Sequence, residues 1–340
     1  MEAVTDVVFR HVVAKAGAPD VWFTEFTNAT GWYHAGDKAI GGRLIKTDDE
    51  HPIVAQLWGS DPVAMEALAK HCAELGYDGI DINMGCPEAS AVKSGGGAGM
   101  ILNPENAAAI IAAAKKSGLP VSVKTRLGYS KLDELHDWIA HILRQDVVNF
   151  TIHLRTKKEM SKVPAHYELI PEVVKLRDEI APQTLLTING DIRDRAHGLE
   201  LVEKYGVDGV MIGRGIFANP FAFSSDERLV TKFEETSATR VSDGGNQTET
   251  RSEAVSVSLS NEDAIIKINK RMDLLKLQLD LYDQYSAKTG RPFETLKRFF
   301  KIYIRDFAGA SELRDQLMHT KSTGEVRAIL NHISDQLTQA

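Results

Sequence analysis

The chain has 340 residues, of which 43% are hydrophobic and 26% are charged, and its formal net charge is −7. This length allows one large domain and a smaller one, and two cysteines argue against a disulfide framework and for a reducing compartment. No segment approaches the ~18 consecutive apolar residues of a membrane span, and the N-terminus lacks a signal pattern, so we expect a cytoplasmic protein that has no membrane partner. The acidic balance does not favour nucleic-acid binding overall, but it is compatible with a local basic face.

Short β-branched segments alternate with amphipathic helical patterns over the first two thirds of the chain. We predict strands at residues 21–25, 53–57, 79–83, 121–125, 148–153, 185–189 and 209–212. The helical patterns cover residues 62–75, 104–116, 132–144, 171–180 and 193–205. This alternation predicts an α/β fold, a (β/α)8 TIM barrel whose ligand site lies at the carboxyl ends of the strands.

The first strand of such a barrel is missing from the pattern. Residues 1–10 are typical of the loop and helix that follow a first strand, with Thr5 or Asp6 as the helix N-cap. A barrel that lacks one strand exposes two unpaired edges. We therefore expect that the natural start lies upstream of Met1 or that another segment fills the gap.

The composition changes after the last predicted strand. We expect a barrel domain at residues 1–223, a flexible polar insertion at residues 224–260 that is rich in Ser, Thr, Glu, Asp and Gly, and a helical domain at residues 261–340.

A basic stripe runs through the predicted helical domain. Lys297, Lys301 and Arg305 recur every four residues, beside Arg298, and would share one face of a helix. Two interpretations stay open from composition, namely a solvated helix face and a surface that contacts a phosphate backbone.

Several reactive side chains follow predicted strands. Cys86 comes after the strand at residues 79–83, in a Gly/Pro turn, and the strand-end position favours a thiol that faces a pocket over a small buried hydrophobic residue. Cys72, by contrast, fits the apolar face of a helix. Lys124 ends another strand, where it would stabilise negative charge on a reduced ring or be solvated. Gln56 and His153 end two more strands at the same rim.

Two glycine turns close the last two strands. They contain Asn189, Gly190 and Asp191 in one case and Gly213, Arg214 and Gly215 in the other. Glycines let backbone N–H groups approach phosphate oxygens, and an arginine can clamp them, although such glycines can also serve tight turns alone. Two turns in adjacent positions favour a phosphate site, and with the thiol and the lysine they predict a phosphorylated planar cofactor.

Eight segments in chain order resemble the tRNA-dihydrouridine synthase family. The most telling of them is Asn-Met-Gly-Cys-Pro at residues 83–87. The full set comprises residues 1–10, 56–59, 81–87, 93–98, 123–128, 152–156, 189–192 and 208–215, with a looser continuation to residue 314.

The resemblance implies an FMN-dependent enzyme that reduces the C5–C6 double bond of specific uridines in tRNA, with NADPH or NADH as the electron donor. It implies hydride transfer to C6 and protonation of C5 by Cys86. An ordinary thiol, with a pKa of about 8.5, is mostly protonated at neutral pH and can act as this acid. We expect no metal ion and a monomeric protein.

The resemblance also implies roles for individual residues. Contacts to the flavin ring or its side chain are implied for Met1, Gln56, Lys124 and His153, and contacts to the ribityl phosphate for Asn189, Asp191, Gly213 and Arg214. Contacts to the substrate base or to RNA are implied for Asn83, Arg155, Lys297, Arg298, Lys301 and Arg305.

Some residues depart from the family pattern, and two other functions stay open. Leu154 replaces the glycine that usually follows the histidine, near the expected RNA side. One alternative is another FMN barrel such as a dihydroorotate dehydrogenase, which Gly85 and Glu88 around the Cys-Pro pair disfavour. The other is a catalytically silent tRNA-binding protein, against which the intact Cys86 and Lys124 argue.

Overall fold

The computed structural model describes residues 3–40, 42–226, 228–229, 233–237, 252–256 and 261–339. Eight strands of this part of the chain form one parallel sheet. They are β1 Trp22–Phe23, β2 Thr27–Asn28, β3 Ile53–Trp58, β4 Gly79–Asn83, β5 Val121–Arg126, β6 Asn149–His153, β7 Leu185–Asn189 and β8 Gly209–Met211. The strand order is β1-β3-β4-β5-β6-β7-β8, and β2 also pairs with β3.

Helices alternate with these strands and then continue alone. The helices of the sheet region are α1 Val7–Ala16, α2 Ala29–Ala35, α3 Asp37–Ile40, α4 Pro62–Glu74, α5 Ala89–Lys93, α6 Pro104–Lys115, α7 Leu135–Leu143, α8 Ile170–Ile180, α9 Arg195–Tyr205 and α10 Gly215–Ala218. Short 3-10 helices occupy Gly97–Leu102, Leu132–Glu134 and Tyr167–Leu169. The C-terminal helices are α11 Asn261–Thr289, α12 Glu294–Tyr303, α13 Ala310–Met318 and α14 Thr323–Gln339. No helix of the described residues is both long and apolar enough to cross a membrane.

Local sequence signals explain where the helices begin. Asp6 caps α1, since its carboxylate accepts a hydrogen bond of 2.9 Å from the backbone N–H of Phe9. Asp61 caps α4 in the same way, and Pro62 fits the first helical turn because its missing N–H has no partner to lose there. The strands in the middle of the sheet are mostly buried, and in β4 all five residues are buried, as in a sheet covered on both faces.

The predicted fold class is confirmed. The sheet is a TIM-barrel-like parallel half-barrel with alternating helices, and a C-terminal helical region follows it. The predicted strands and helices correspond to β1, β3 to β8, α4 and α6 to α9, whereas the two-residue strand β2 is too short to leave a period in the sequence. Among the described residues the sheet has two ends, at β1 and β8.

Strand register brings the predicted site residues to one edge of the sheet. Asn83 is paired with Lys124, and Arg126 with His153. His153 is paired in turn with Asn189 on β7. Because all these strands run parallel, side chains that are far apart in sequence meet at their carboxyl ends.

Two large hydrophobic clusters and a small third one, made of Val7, Val8 and Tyr285, form the core of the described residues. One lies between the sheet and the helices that surround it. The second joins the C-terminal helices to α1 and to the segment after β8, and Phe9, Phe221, Leu275 and Phe300 are among its buried side chains. The helical region therefore packs directly against the barrel.

Parts of two predictions lie outside the described residues. Met1 is one, so its contact with a flavin stays a prediction. Most of residues 224–260 is the other, and two described stretches of this segment, β9 Phe233–Ser237 and β10 Ser252–Ser256, form an antiparallel pair. The flexibility of the insertion and the three domain boundaries stay predictions.

Candidate active site

A cavity of about 1120 Å³ opens at the carboxyl ends of the strands. Both the barrel and the C-terminal helices contribute to its wall. The predicted site residues that line it are Gln56, Asn83, Cys86, Lys124, His153, Asn189, Asp191, Gly213, Arg214 and Arg305. Within the described part of the chain, seven Lys or Arg side chains and three Asp side chains line this cavity, a balance that suits an anionic ligand.

The loop after β4 holds Cys86 on the cavity wall. The side-chain oxygen of Asn83 accepts hydrogen bonds from the backbone N–H groups of Gly85 (3.1 Å) and Cys86 (2.9 Å). Gly97 passes so close that a Cβ atom there would lie 2.7 Å from the carbonyl oxygen of Cys86, and its φ is +52°. Only glycine meets both conditions, so the glycine cluster serves the geometry of the cysteine loop.

A buried polar network lies beneath this loop. Asp81, which is fully buried, accepts hydrogen bonds from Ser122 Oγ (2.6 Å) and Gln56 Nε2 (2.7 Å). Gln56 Oε1 accepts one of 3.3 Å from Asn83 Nδ2. Burial raises the pKa of the Asp81 carboxyl against these hydrogen bonds. The network fixes the orientation of both amides, and sequence reasoning missed Asp81 and Ser122 because neither lies at a strand end.

Two cations lie beside the cysteine loop. Burial, and then the neighbouring Arg126 guanidinium, lowers the pKa of Lys124 to about 8. The side-chain amine of Lys124 makes no hydrogen bond or ion pair with any described residue, so it is available to a ligand in the cavity. Arg126 is 8% exposed and donates to the carbonyl oxygens of Gly85 (2.7 Å), Thr156 (3.1 Å) and Met160 (2.9 Å). It thus ties the cysteine loop to the loop after β6.

His153 is a neutral side chain in this setting. Burial, followed by the nearby Lys124 and Arg126, holds its pKa far below the usual range. Its Nδ1 atom is buried and has no hydrogen-bond partner among the described residues. A neutral imidazole with one unsatisfied nitrogen at a cavity wall is suited to bind a polar ligand atom.

The two glycine turns meet at the far end of the sheet. Asn189 Nδ2 donates to the carbonyl oxygen of Met211 (2.6 Å), which links the end of β7 to that of β8. A Cβ atom at Gly213 would meet nothing closer than Asn189 Nδ2 at 3.9 Å, so this turn faces open space. Arg214, 64% exposed, donates to Asp191 (3.2 Å). The backbone at this turn is therefore open to a phosphate.

Arg155, which the resemblance places at the RNA surface, is buried in the structure. Its side chain is 2% exposed, it pairs with the Asp191 carboxylate, and its Nε donates to the carbonyl oxygen of Val163 (2.6 Å). Asp191 also accepts a hydrogen bond of 3.0 Å from the backbone N–H of Ala165. Both residues therefore position the turn after β7, because a carboxylate engaged by two guanidinium groups has little reason to contact a phosphate itself.

The predicted basic stripe is divided between two surfaces. Helix α12 ends at Tyr303, so Arg305 lies beyond the helix, where it donates to the carbonyl oxygen of Ala218 (2.9 Å) and lines the cavity. The other three residues border a separate groove of about 470 Å³, together with Arg314. There Lys301 is exposed, Lys297 lies 5.6 Å from the ring centre of Phe293, and Arg298 donates to the carbonyl oxygen of Ala3 (2.9 Å).

Sequence reasoning also missed five basic side chains of the two surfaces, namely Arg126, Arg193, Lys267, Arg271 and Arg314. Arg126 carried a usable signal, since it is two residues from Lys124 and so lies on the same face of β5. Lys267 and Arg271, which line the cavity from α11, have the i,i+4 spacing of a helix face, but no pattern places that face over the barrel. Arg314 joins the α12 groove through the packing of α13 on α12.

The cavity fits FMN, the cofactor that the sequence implies. Its volume, about 1120 Å³, lies just above the usual range of ligand pockets, roughly 300–1,000 Å³. A free lysine amine, an unsatisfied imidazole nitrogen and an open glycine turn lie along one wall. Gln56, Lys124 and His153 line the cavity and would hold the ring, and Asn189, Gly213 and Arg214 line it and would hold the phosphate.

The chain matches known proteins over its whole length. The family model described as "Dihydrouridine synthase (Dus)" matches residues 1–338. "Probable tRNA-dihydrouridine synthase 2" of Bacillus subtilis (strain 168) is 54% identical over 97% of this chain and 91% of its own length. "Probable tRNA-dihydrouridine synthase" of Staphylococcus aureus (strain Mu50) is 51% identical over 100% of this chain and 93% of its own length.

Two solved structures are more distantly similar. A variant of NCR from Zymomonas mobilis covers 65% of this chain and 81% of its own, with 16% identity and a TM-score of 0.43. Histamine dehydrogenase from Rhizobium sp. 4-9 covers 67% of this chain and 43% of its own, with 11% identity and a TM-score of 0.49. Both TM-scores are below 0.5, so these two structures carry no argument about function. The family match and the relatives argue against the dihydroorotate dehydrogenase alternative. The chain belongs to the dihydrouridine synthase family, a family of oxidoreductases.

Proposed function

We propose that this protein reduces specific uridines of tRNA to 5,6-dihydrouridine with bound FMN, and that NADPH, or NADH in its place, supplies the electrons. The observation that carries the proposal is the position of Cys86, which a side-chain cap from Asn83 holds on the wall of a cationic cavity at the carboxyl ends of the strands. The names of the relatives, which are 51% and 54% identical, support the same activity.

The residues of the barrel would hold the cofactor in one orientation. Lys124 and His153 would contact the ring, and a protonated Lys124 favours a negatively charged ring over a neutral one. Gln56 cannot rotate freely, because its amide is hydrogen-bonded to Asp81 and Asn83, so it presents a fixed edge to the ring. When bound in this way, FMN supplies the hydride that adds to C6 of the uracil.

Cys86 supplies the second hydrogen. The thiol proton moves to C5, the C5–C6 double bond becomes a single bond, and the sulfur retains the electron pair as a thiolate until it regains a proton from water. Arg126 and Lys124 both interact electrostatically with Cys86, and two neighbouring cations favour the thiolate that remains. Asn83 keeps the loop in place during this transfer, since it holds the backbone N–H of Cys86.

The substrate base must leave the RNA stack to reach the cavity. Extrusion of a nucleotide costs a few kcal/mol, which contacts elsewhere have to offset. We assign this role to the helical domain at residues 261–340, whose α12 groove presents Lys297, Arg298 and Lys301 to solvent. The barrel domain at residues 1–223 would carry the chemistry.

The decisive experiment is turnover with purified protein. Unmodified tRNA, NADPH and the FMN-loaded enzyme should yield dihydrouridine, measured by nucleoside mass spectrometry, and the protein should show the absorbance of oxidised flavin. Binding of tRNA without product would contradict the proposal and support the silent RNA-binding alternative. Turnover of dihydroorotate without turnover of tRNA would contradict it in a different way.

A further inference from the structure

A chain of hydrogen bonds runs behind the cavity wall and ends at the cysteine loop. Its links are Ser122 to Asp81, Gln56 to Asp81, Asn83 to Gln56, and the backbone N–H groups of Gly85 and Cys86 to Asn83. Gln56 and Asn83 line the cavity, whereas Asp81 is fully buried behind them. The direction of these bonds decides which atoms the two amides offer to a ligand.

The direction of the chain is set at the cysteine loop. A backbone N–H can only donate, so the side-chain atom of Asn83 that meets the nitrogens of Gly85 (3.1 Å) and Cys86 (2.9 Å) has to be the oxygen. Both lone pairs of this oxygen are then occupied. Asn83 meets Gln56 through Nδ2, so it offers a ligand one N–H and no acceptor.

Gln56 is held in one direction from both sides. Its Oε1 accepts from Asn83 Nδ2 (3.3 Å), and its Nε2 donates to Asp81 Oδ2 (2.7 Å). If the amide were turned over, two N–H groups would face each other at Asn83 and two oxygens would face each other at Asp81, and both bonds would be lost. One N–H and one lone pair of Gln56 remain for a ligand.

Asp81 keeps this direction in either protonation state. Burial raises the pKa of its carboxyl, against the hydrogen bonds from Ser122 and Gln56. Ser122 Oγ lies 2.6 Å from Oδ1 of Asp81 and 3.4 Å from the carbonyl oxygen of Ile80, so a protonated Asp81 can donate to Ser122, which then donates to Ile80. Oδ2 therefore accepts from Gln56 in both states.

The neighbouring side chains on β5 are also donors. Lys124 is paired with Asn83 across the sheet, and Lys124 and Arg126 both line the cavity. Because their charged groups carry N–H donors and no acceptor, this wall favours a ligand that presents several acceptor atoms. A cyclic imide has two keto oxygens on either side of one N–H. Uracil and the pyrimidine edge of the flavin ring are both cyclic imides.

We propose that Asp81 is a positioning residue of the reaction, which holds Gln56 so that its N–H donates to a keto oxygen of the flavin ring, where negative charge gathers on reduction. The inference rests on the proposed function, because it takes FMN as the ligand at this wall. A donor aimed at that oxygen favours the reduced ring over the oxidised ring. Asp81 does not line the cavity, so it acts through Gln56.

The test compares two neutral replacements of Asp81 in the FMN-saturated full-length protein. Asp81→Asn keeps an oxygen for Gln56, and its new amide N–H can donate to Ser122 while that hydroxyl donates to Ile80. Asp81→Leu has the same branching and no acceptor. Both changes remove the same charge, so a difference between the two variants reports the hydrogen bond to Gln56. The measured quantity is the midpoint potential of the bound flavin.

We expect Asp81→Leu to bind reduced FMN about tenfold more weakly, relative to oxidised FMN, than Asp81→Asn does. A tenfold change in this ratio lowers the midpoint potential by about 30 mV for a two-electron couple. Next to Gln56→Met, which removes the amide, the same two replacements of Asp81 should give equal potentials, because the interaction they test no longer exists.

Every other outcome contradicts the inference. Equal potentials for Asp81→Leu and Asp81→Asn would remove the positioning role, and equal losses of affinity for both flavin states would show a structural role alone. A difference that persists next to Gln56→Met would show that Asp81 does not act through Gln56. If Asp81→Leu does not fold, as judged by circular dichroism, Asp81→Val takes its place, since it is also neutral and has no acceptor. A wild-type protein that binds no FMN would contradict the proposed function itself.

Discussion

The cavity and the α12 groove are both basic, but they hold their cations in opposite ways. Arg126 is buried, and three backbone carbonyl oxygens fix its guanidinium. Lys301 is exposed on α12, and nothing described in the structure holds its amine. Buried and anchored cations act at fixed positions in a low dielectric, whereas exposed ones act weakly and are screened by salt. The first arrangement suits chemistry on one bond and the second suits a sequence-independent grip on phosphates.

The largest expected effect is at the cysteine. Cys86→Ala should lower the rate of dihydrouridine formation by about 10²- to 10⁴-fold, since general acid catalysis contributes this much, while FMN stays bound. The readout is dihydrouridine in tRNA under single-turnover conditions. Cys72→Ala is the matched control, because Cys72 is a fully buried core residue of α4 and its loss should cost some stability and no activity. Equal rates for Cys86→Ala and wild type would refute the acid assignment.

The next largest effect tests the anchoring of the cavity cations. Arg126→Met leaves the carbonyl oxygens of Gly85, Thr156 and Met160 without their donor. We expect the free energy of unfolding to fall by about 2–4 kcal/mol and the turnover to fall at least about tenfold. Urea denaturation and the tRNA assay measure the two effects. Arg144→Met, at the exposed end of α7, should change neither the free energy of unfolding nor the turnover. Losses of similar size in this control would show that the effect of Arg126→Met does not come from the three carbonyl contacts.

A smaller effect follows from the pKa of Lys124. Because burial lowers this pKa to about 8, the amine is protonated below that pH and neutral above it. Reduced riboflavin should therefore bind less tightly as the pH rises from 7 to 9, by up to about tenfold, since the cation that favours a negatively charged ring is lost. Riboflavin lacks the phosphate of FMN, so its affinity reports contacts to the ring and its side chain alone. Lys124→Met should flatten the profile, and an unchanged slope in that variant would exclude Lys124 as its cause.

The lowered pKa of Lys124 also predicts how the free energy of unfolding of the flavin-free protein depends on pH. Between about pH 8 and the ordinary lysine pKa of 10.5, the unfolded chain holds the Lys124 proton and the folded chain does not. The unfolded state then binds more protons, so the contribution of Lys124 to stability rises with pH in this window. Urea midpoints of the flavin-free wild type, compared with Lys124→Met between pH 7.5 and 10 (roughly the window of the shift), check the sign.

The smallest expected effect is on the α12 groove. Lys297→Ala and Lys301→Ala should each weaken tRNA binding by about two- to fivefold and reduce the salt slope of log K by about 0.9, one phosphate contact each. Flavin affinity should not change. Lys175→Ala, 75% exposed on α8, serves as the control for loss of a surface charge. If Lys175→Ala weakens tRNA binding as much as the groove variants do, the stripe on α12 is only a solvated helix face and not a phosphate contact.

Most residues of the cavity could be predicted from the sequence, because strands are visible as short periodic segments and the carboxyl ends of parallel strands meet at one edge of the sheet. Gln56, Asn83 and Lys124 end three strands in the sequence, and parallel pairing has to bring such ends to one edge. The same reasoning passed over Asp81, since a fully buried carboxylate in mid-strand is explained only by its partners Ser122 and Gln56.

The sequence by itself determined the repeating elements, the edge at which the thiol, lysine and histidine meet, and the resemblance to a family. Only the tertiary structure decided which charges are buried. Arg155 and Arg305 look like exposed RNA contacts in the sequence, yet one is locked on Asp191 and the other reaches the cavity after α12 has ended. Likewise, helix α11 lies over the cavity because its apolar face packs on α1, a contact between segments about 250 residues apart in the chain. Local patterns specify helices and strands, but the packing of distant apolar faces determines which side chains reach the site.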